Sequence, residues 1–158
     1  GERSSDPGLT VLSGDIGTAG VHSDNSYHVV TGVDDATLDG VTITGGNANG
    51  IDQTDKFGGG VYNSGGSPAL TNVSFVTNTS TAGGGGIWAG SSDSVLDHVS
   101  FTGNSTEGHG GAFATYSSGG AILTDVQHDV VFGRVERLRR CAGGLLPCPR
   151  DHAPTARS

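Results

Sequence analysis

Three groups of residues in this chain have the types that reactions or ligands require. His109 lies between Gly108 and Gly110, and Asp34 and Asp35 are adjacent acids. An imidazole with paired carboxylates is material for breaking a glycosidic bond, where one acid protonates the leaving oxygen and another group activates water. Those groups must meet, yet Asp35 and His109 are 74 positions apart. Asp52, Asp55 and Lys56 form a second group. Carboxylates can gather Ca2+ and an amine can abstract a proton, the needs of a polysaccharide lyase. An acidic loop is otherwise simply solvated. Tyr62, Trp88 and Phe113 form the third group. Exposed rings at regular spacing offer a surface for sugar stacking or partner docking. The competing expectation is that these rings lie beneath the loop 47–57 and only complete the fold.

From these groups the expected ligand-binding residues are Tyr62, Trp88 and Phe113, with no catalytic residue assigned. No cofactor is expected, and Ca2+ at Asp52 and Asp55 is the one candidate ion. Asn72-Val73-Ser74, Asn78-Thr79-Ser80 and Asn104-Ser105-Thr106 match the N-glycosylation pattern, as chance allows in a Ser/Thr-rich chain. Cys141, Cys148 and His152 lack the fourth ligand and paired spacing of a zinc set.

The elements that must hold these residues are written as a repeat. GGGVYNSGGSPALTNVSFVTN at 58–78 is followed by GGGIWAGSSDSVLDHVSFTGN at 84–104. Val61 and Ile87, Leu70 and Leu96, Val73 and Val99, Phe75 and Phe101, and Asn78 and Asn104 are each 26 positions apart. A fixed offset over both apolar and turn positions marks a repeat architecture. Leu38, Val41 and Ile43 carry the pattern one copy earlier. There Val29 is expected to match Val61, with the surplus length in the loop 47–57. A later copy at 108–128 places Ala112 at the position of Val61 and Ile87, with Phe113 beside it in the column of Tyr62 and Trp88. It has His128 where Phe75 and Phe101 stand.

Short β runs broken by Gly, Asn and Ser cannot pair within one copy, so each needs the next copy about 4.8 Å away. The expected fold is all-β, a right-handed parallel β-helix of about four coils over residues 9–128. A column of Gly40, Asn72, His98 and Asp125 separates the Leu and Val of each copy. These types tolerate positive φ, so a tight bend there turns both flanking side chains inward. Asn78 and Asn104 form a second corner, where stacked amides can bond along a ladder.

Composition agrees. Glycine supplies 29 of 158 residues and there is no Met, which suits turn-rich β structure. Residues 1–128 carry 13 acidic side chains against Arg3 and Lys56, a net −11, whereas 129–158 carry three acids and six arginines, a net +3. The acidic part would repel phosphates, so no nucleic-acid partner is expected. No apolar run reaches the roughly 18–20 residues of a membrane helix. The start, Gly-Glu-Arg, reads as a mature or excised fragment without a leader. Residues 1–8 read as a disordered lead-in. The tail, 129–158, is rich in Arg, Pro and Cys; it is expected to be either a cap with a short helix over 130–138 or sequence unrelated to the repeat.

The repeat resembles that of secreted bacterial proteins with right-handed parallel β-helices, similar to polymorphic outer membrane protein repeats. Their marks are a GGA-apolar element, here Gly110-Gly111-Ala112-Phe113, and a Phe-x-x-Asn element, here Phe75-Val76-Thr77-Asn78 and Phe101-Thr102-Gly103-Asn104. The resemblance covers about residues 9–128. It implies secretion or surface display, and a non-catalytic adhesin or scaffold touching glycans or a neighbouring cell. Oligomeric state is left open. The GHG triplet is similar to an element of polygalacturonases, also β-helices, so a lyase or glycosidase is the alternative. The later Arg-x-Lys element of those enzymes is missing.

Overall fold

The computed structural model of the chain describes residues 6–32, 36–116, 120–124, 127–128 and 138–141. Fifteen strands lie within them: β1 (Val11–Ser13), β2 (Val30–Thr31), β3 (Thr37–Thr44), β4 (Asn47–Ala48) and β5 (Val61–Ser64); β6 (Ala69–Val76), β7 (Thr79–Ser80), β8 (Ile87–Gly90), β9 (Asp93–Asp97) and β10 (Ser100–Thr102); β11 (Ser105–Thr106), β12 (Phe113–Tyr116), β13 (Gly120–Thr124), β14 (Gln127–His128) and β15 (Leu138–Cys141). Helix is confined to three short 3-10 turns, Pro7–Leu9, His22–Asp24 and Thr54–Lys56. The architecture is all-β and every strand pairing is parallel.

Strands at one repeat position pair with the same position in the next copy. One sheet runs β1-β3-β6-β9-β13-β15, with β10 beside β6 and β14 beside β10; a second is β11-β7-β4; a third is β12-β8-β5-β2. The register aligns Leu12, Ile43, Phe75, Phe101 and His128 in one column. Phe75 and Phe101 stack at 5.0 Å between centroids. Around them Val61, Leu70, Val73, Ile87, Leu96 and Val99 are buried, and this apolar interior holds the sheets together.

The corners follow backbone chemistry. Gly40, Asn72 and His98 have φ of 68°, 50° and 52°, so the bend between Leu and Val is made by residues able to enter the left-handed region. Next to the second corner, the Asn78 side chain donates from Nδ2 to Ile43 O and to Asn104 Oδ1, each at 2.9 Å. Asn78 Oδ1 accepts from Gly46 N at 3.0 Å, and Asn104 Nδ2 donates to Phe75 O at 2.8 Å. Both asparagines are buried. The amides therefore satisfy backbone groups that a turn leaves unpaired in the interior.

Several expectations are corrected. Val30, not Val29, pairs with Val61. Part of the lead-in is structured: Asp6 caps the turn Pro7–Leu9 by accepting from Gly8 N at 2.9 Å, and Thr42 Oγ1 donates to Pro7 O. Leu138, placed at the end of a short helix, instead begins strand β15 alongside β13. Asp34, Asp35, Asp125, Cys148 and His152 lie outside the described residues.

Candidate functional site

The site is built on the outward face of the sheet that contains β5 and β8. Alternation sends Val61 and Asn63, and likewise Ile87 and Ala89, into the interior, where all four are buried. Tyr62 and Trp88 between them face outward, are partly buried, and are register partners on adjacent strands. Their pairing with further rings is closer than the column alone implies. His28 stacks on Tyr62 at 5.0 Å between centroids. Its Nδ1 lies 3.0 Å from Gly58 O; a carbonyl only accepts, so this nitrogen carries the hydrogen. Phe57 packs against Trp88 at 4.2 Å, and Trp88 stacks with Tyr116 at 6.0 Å.

Two glycines make room for the indole. A Cβ on Gly83 would sit 3.4 Å from Phe57 Cδ1 and 3.5 Å from Trp88 Cε3; one on Gly90 would sit 3.2 Å from Trp88 Nε1. Trp88 thus lies close against strand surface that carries no side chains beneath it. Rings in such contact are worth about 0.5–1.5 kcal/mol per pair beyond area burial, so the row is held together before any ligand arrives.

Phe113 does not belong to this row. It pairs with Ile87, while Ala114 pairs with Trp88, and Phe113 is fully buried in the apolar interior. The 26-residue offset is kept from Val61 through Ile87 to Phe113, so Ala112 takes the place of Gly86. The residue that joins the row is Tyr116, 70% exposed, whose register partner is Gly90. Its outward direction was available from alternation along Phe113–Tyr116 once the offset is counted from Phe113. Phe57 and His28 had no such signal, because they lie outside the named strands.

The insertion loop borders the row. Thr54–Lys56 forms its 3-10 turn, and Gly50 N donates to Asp55 O at 3.1 Å. A Cβ on Gly50 would lie 3.1 Å from both Asp55 Oδ2 and Tyr27 Cζ, which sets this carboxylate near a ring that is 44% exposed. Asp52 is exposed. Among the described residues no three His, Cys, Asp or Glu side chains converge to hold a metal ion. His109 is exposed and bridges Gly83 through its backbone. Asn78 and Asn104 are too buried to accept a glycan, and Asn72 Nδ2 donates to Asp39 Oδ1 at 3.0 Å.

Comparison with protein-family models, with curated proteins and with solved structures gave no match. No helix among the described residues is long and apolar enough to cross a membrane.

Proposed function

We propose that this chain is a non-catalytic scaffold of a secreted or surface-displayed protein, and that its aromatic row contacts glycans. In this reading the parallel sheets close into a right-handed β-helix of about four coils. Its copies bring Tyr62 and Trp88 onto adjacent strands, and Tyr116 stacks on Trp88 from the strand beyond. The observation that carries the reading is the outward row Phe57, Trp88 and Tyr116, with His28 on Tyr62 beside it. Rings kept partly exposed, rather than folded into the interior with Phe75 and Phe101, suit a ligand with apolar C–H faces and polar edges. Secretion and surface display draw on the repeat's GGA-apolar and Phe-x-x-Asn elements and on the acidic, Lys-poor composition of residues 1–128.

Trp88 is the chain's one tryptophan, so its fluorescence reports on the row directly. A glycan array probed with the full chain should yield binders that shift this fluorescence. Trp88→Ala and Tyr116→Ala should weaken them while far-UV circular dichroism stays unchanged. Binders indifferent to both substitutions, or an array with none, would remove the glycan-contact reading.

A further inference from the structure

We infer that the end of the stack carrying β1 pairs with the same end of a second copy of this chain, strand edge to strand edge about a two-fold axis. The inference is independent of the aromatic row. β1 ends its sheet, and β4 ends another at the same, earliest copy of the repeat. The inner edge of β1 is taken. Thr10 O accepts from Thr42 N and Gly14 N donates to Thr44 O, each at 2.8 Å, and Leu12 lies between them in register with Ile43. Alternate residues of a paired strand turn their main-chain groups to opposite sides. Val11 and Ser13 therefore present N–H and C=O to the outer side, where no described strand pairs with them.

A second copy is the occupant because this edge is its own complement. Two such strands, antiparallel about an axis through Leu12, set Val11 of each copy opposite Ser13 of the other. Each of those pairs exchanges two N–H to O=C bonds, so every outward donor and acceptor of Val11 and Ser13 is used. Leu12 then meets Leu12 of the second copy. It heads the column of Ile43, Phe75 and Phe101, so the apolar interiors of the two copies join.

The surroundings suit that contact. Proteins blunt a free edge with charge, proline or a bulge, yet the run Thr10–Ser13 has no charged residue and no proline. Leu9, Val11, Ile16 and Val21 are 71%, 55%, 69% and 40% exposed. The loop 15–25 carrying the last two returns onto β4, where Asn47 donates from its backbone N to Ser26 O and from Nδ2 to His22 O. These side chains thus share the β1 end of the stack. Asp6, Asp15 and Asp24 accept from the N–H groups of Gly8, Gly20 and Thr18, within the same segment. Clustered exposed apolar groups mark an interface, and a two-fold contact sets each patch against itself.

The test is sedimentation of the full chain in about 0.15 M NaCl, which screens repulsion between the acidic copies to about 8 Å. Monomer should pass to dimer, and no further, between about 1 μM and 1 mM. Hydrogen exchange should protect the Val11 and Ser13 amides only in the dimer, while Leu12 and Gly14, which face β3, stay protected throughout. Val11→Pro removes one outward N–H and no bond to β3; Ile16→Ser removes apolar surface from an exposed loop. Each should weaken the dimer about tenfold with circular dichroism unchanged. A monomer across the whole range overturns the inference. So does a dimer whose Val11 and Ser13 amides exchange freely, or one that neither substitution weakens, since its contact lies elsewhere. Oligomers that grow past the dimer overturn it in favour of head-to-tail stacking.

Discussion

Thr77 has φ of 51°, and it stands in the corner column between Gly45 at 73° and Gly103 at 63°. A β-branched residue in that region bears a steric cost of about 1–2 kcal/mol that glycine escapes. Its hydroxyl lies 3.2 Å from Thr44 Oγ1 on the exposed side, a contact worth little in water. Thr77→Gly should therefore raise stability by about 1 kcal/mol net of the greater entropy of glycine in the unfolded chain, read as a higher urea midpoint with unchanged slope. The Asn corner behaves oppositely. Asn78→Ala leaves Gly46 N–H without its acceptor and takes a donor from Ile43 O and Asn104 Oδ1. At about 1–3 kcal/mol for a buried group left unpaired, the loss should be about 3 kcal/mol or more. A midpoint unchanged by Asn78→Ala would mean that the amides do not support the corner. Both corner columns were legible in the sequence, because few residue types tolerate positive φ or bond inside a turn. Thr77 was not, since nothing in its type announces the conformation.

At the level of strands and loops, the apolar columns are legible where the 26-residue offset is uniform and mislead where it is counted from Ala112 instead of Phe113. Leu70, Val73 and Phe75 pair as their spacing implies. Aligning Gly110-Gly111 with Gly85-Gly86 sets Phe113 on the outer face, one place out of the register that pairs it with Ile87. Side chains alternate along a strand, so a slip of one position exchanges the two faces. Counted from Phe113, the same alternation turns Tyr116 outward, the most exposed ring of the row. The insertion loop offers a test of the same counting. Ala48 pairs with Ser80, and Phe57 bridges Gly83, so the earlier copy spends nine positions where the next spends three. Deleting residues 50–55 leaves two residues between Ala48 and Phe57, as in Thr81-Ala82. Loop length changes closure entropy only slowly, so the deletion should keep the circular dichroism spectrum and stay within about 1 kcal/mol of the parent. Collapse of the fold on deletion would show that the loop is a structural cover for the row.

Across the chain, charge is the least balanced property, and it bears on stability. Thirteen acidic groups among residues 1–128 face two Lys/Arg side chains, so neighbouring carboxylates on a stack of short strands repel one another more than they are paired. Folding brings them closer than the unfolded chain does, which makes the compact state sensitive to screening. Raising NaCl from 0.01 M to 0.1 M shortens the screening length from about 30 Å to about 10 Å, less than the span of several strands at 4.8 Å each. The urea midpoint should therefore rise with salt over that interval. Replacing Asp52 and Asp55 by Asn should reduce that slope, with the midpoint already higher at 0.01 M salt. A midpoint that falls with salt would mean that attractive ion pairs outweigh repulsion in the folded chain.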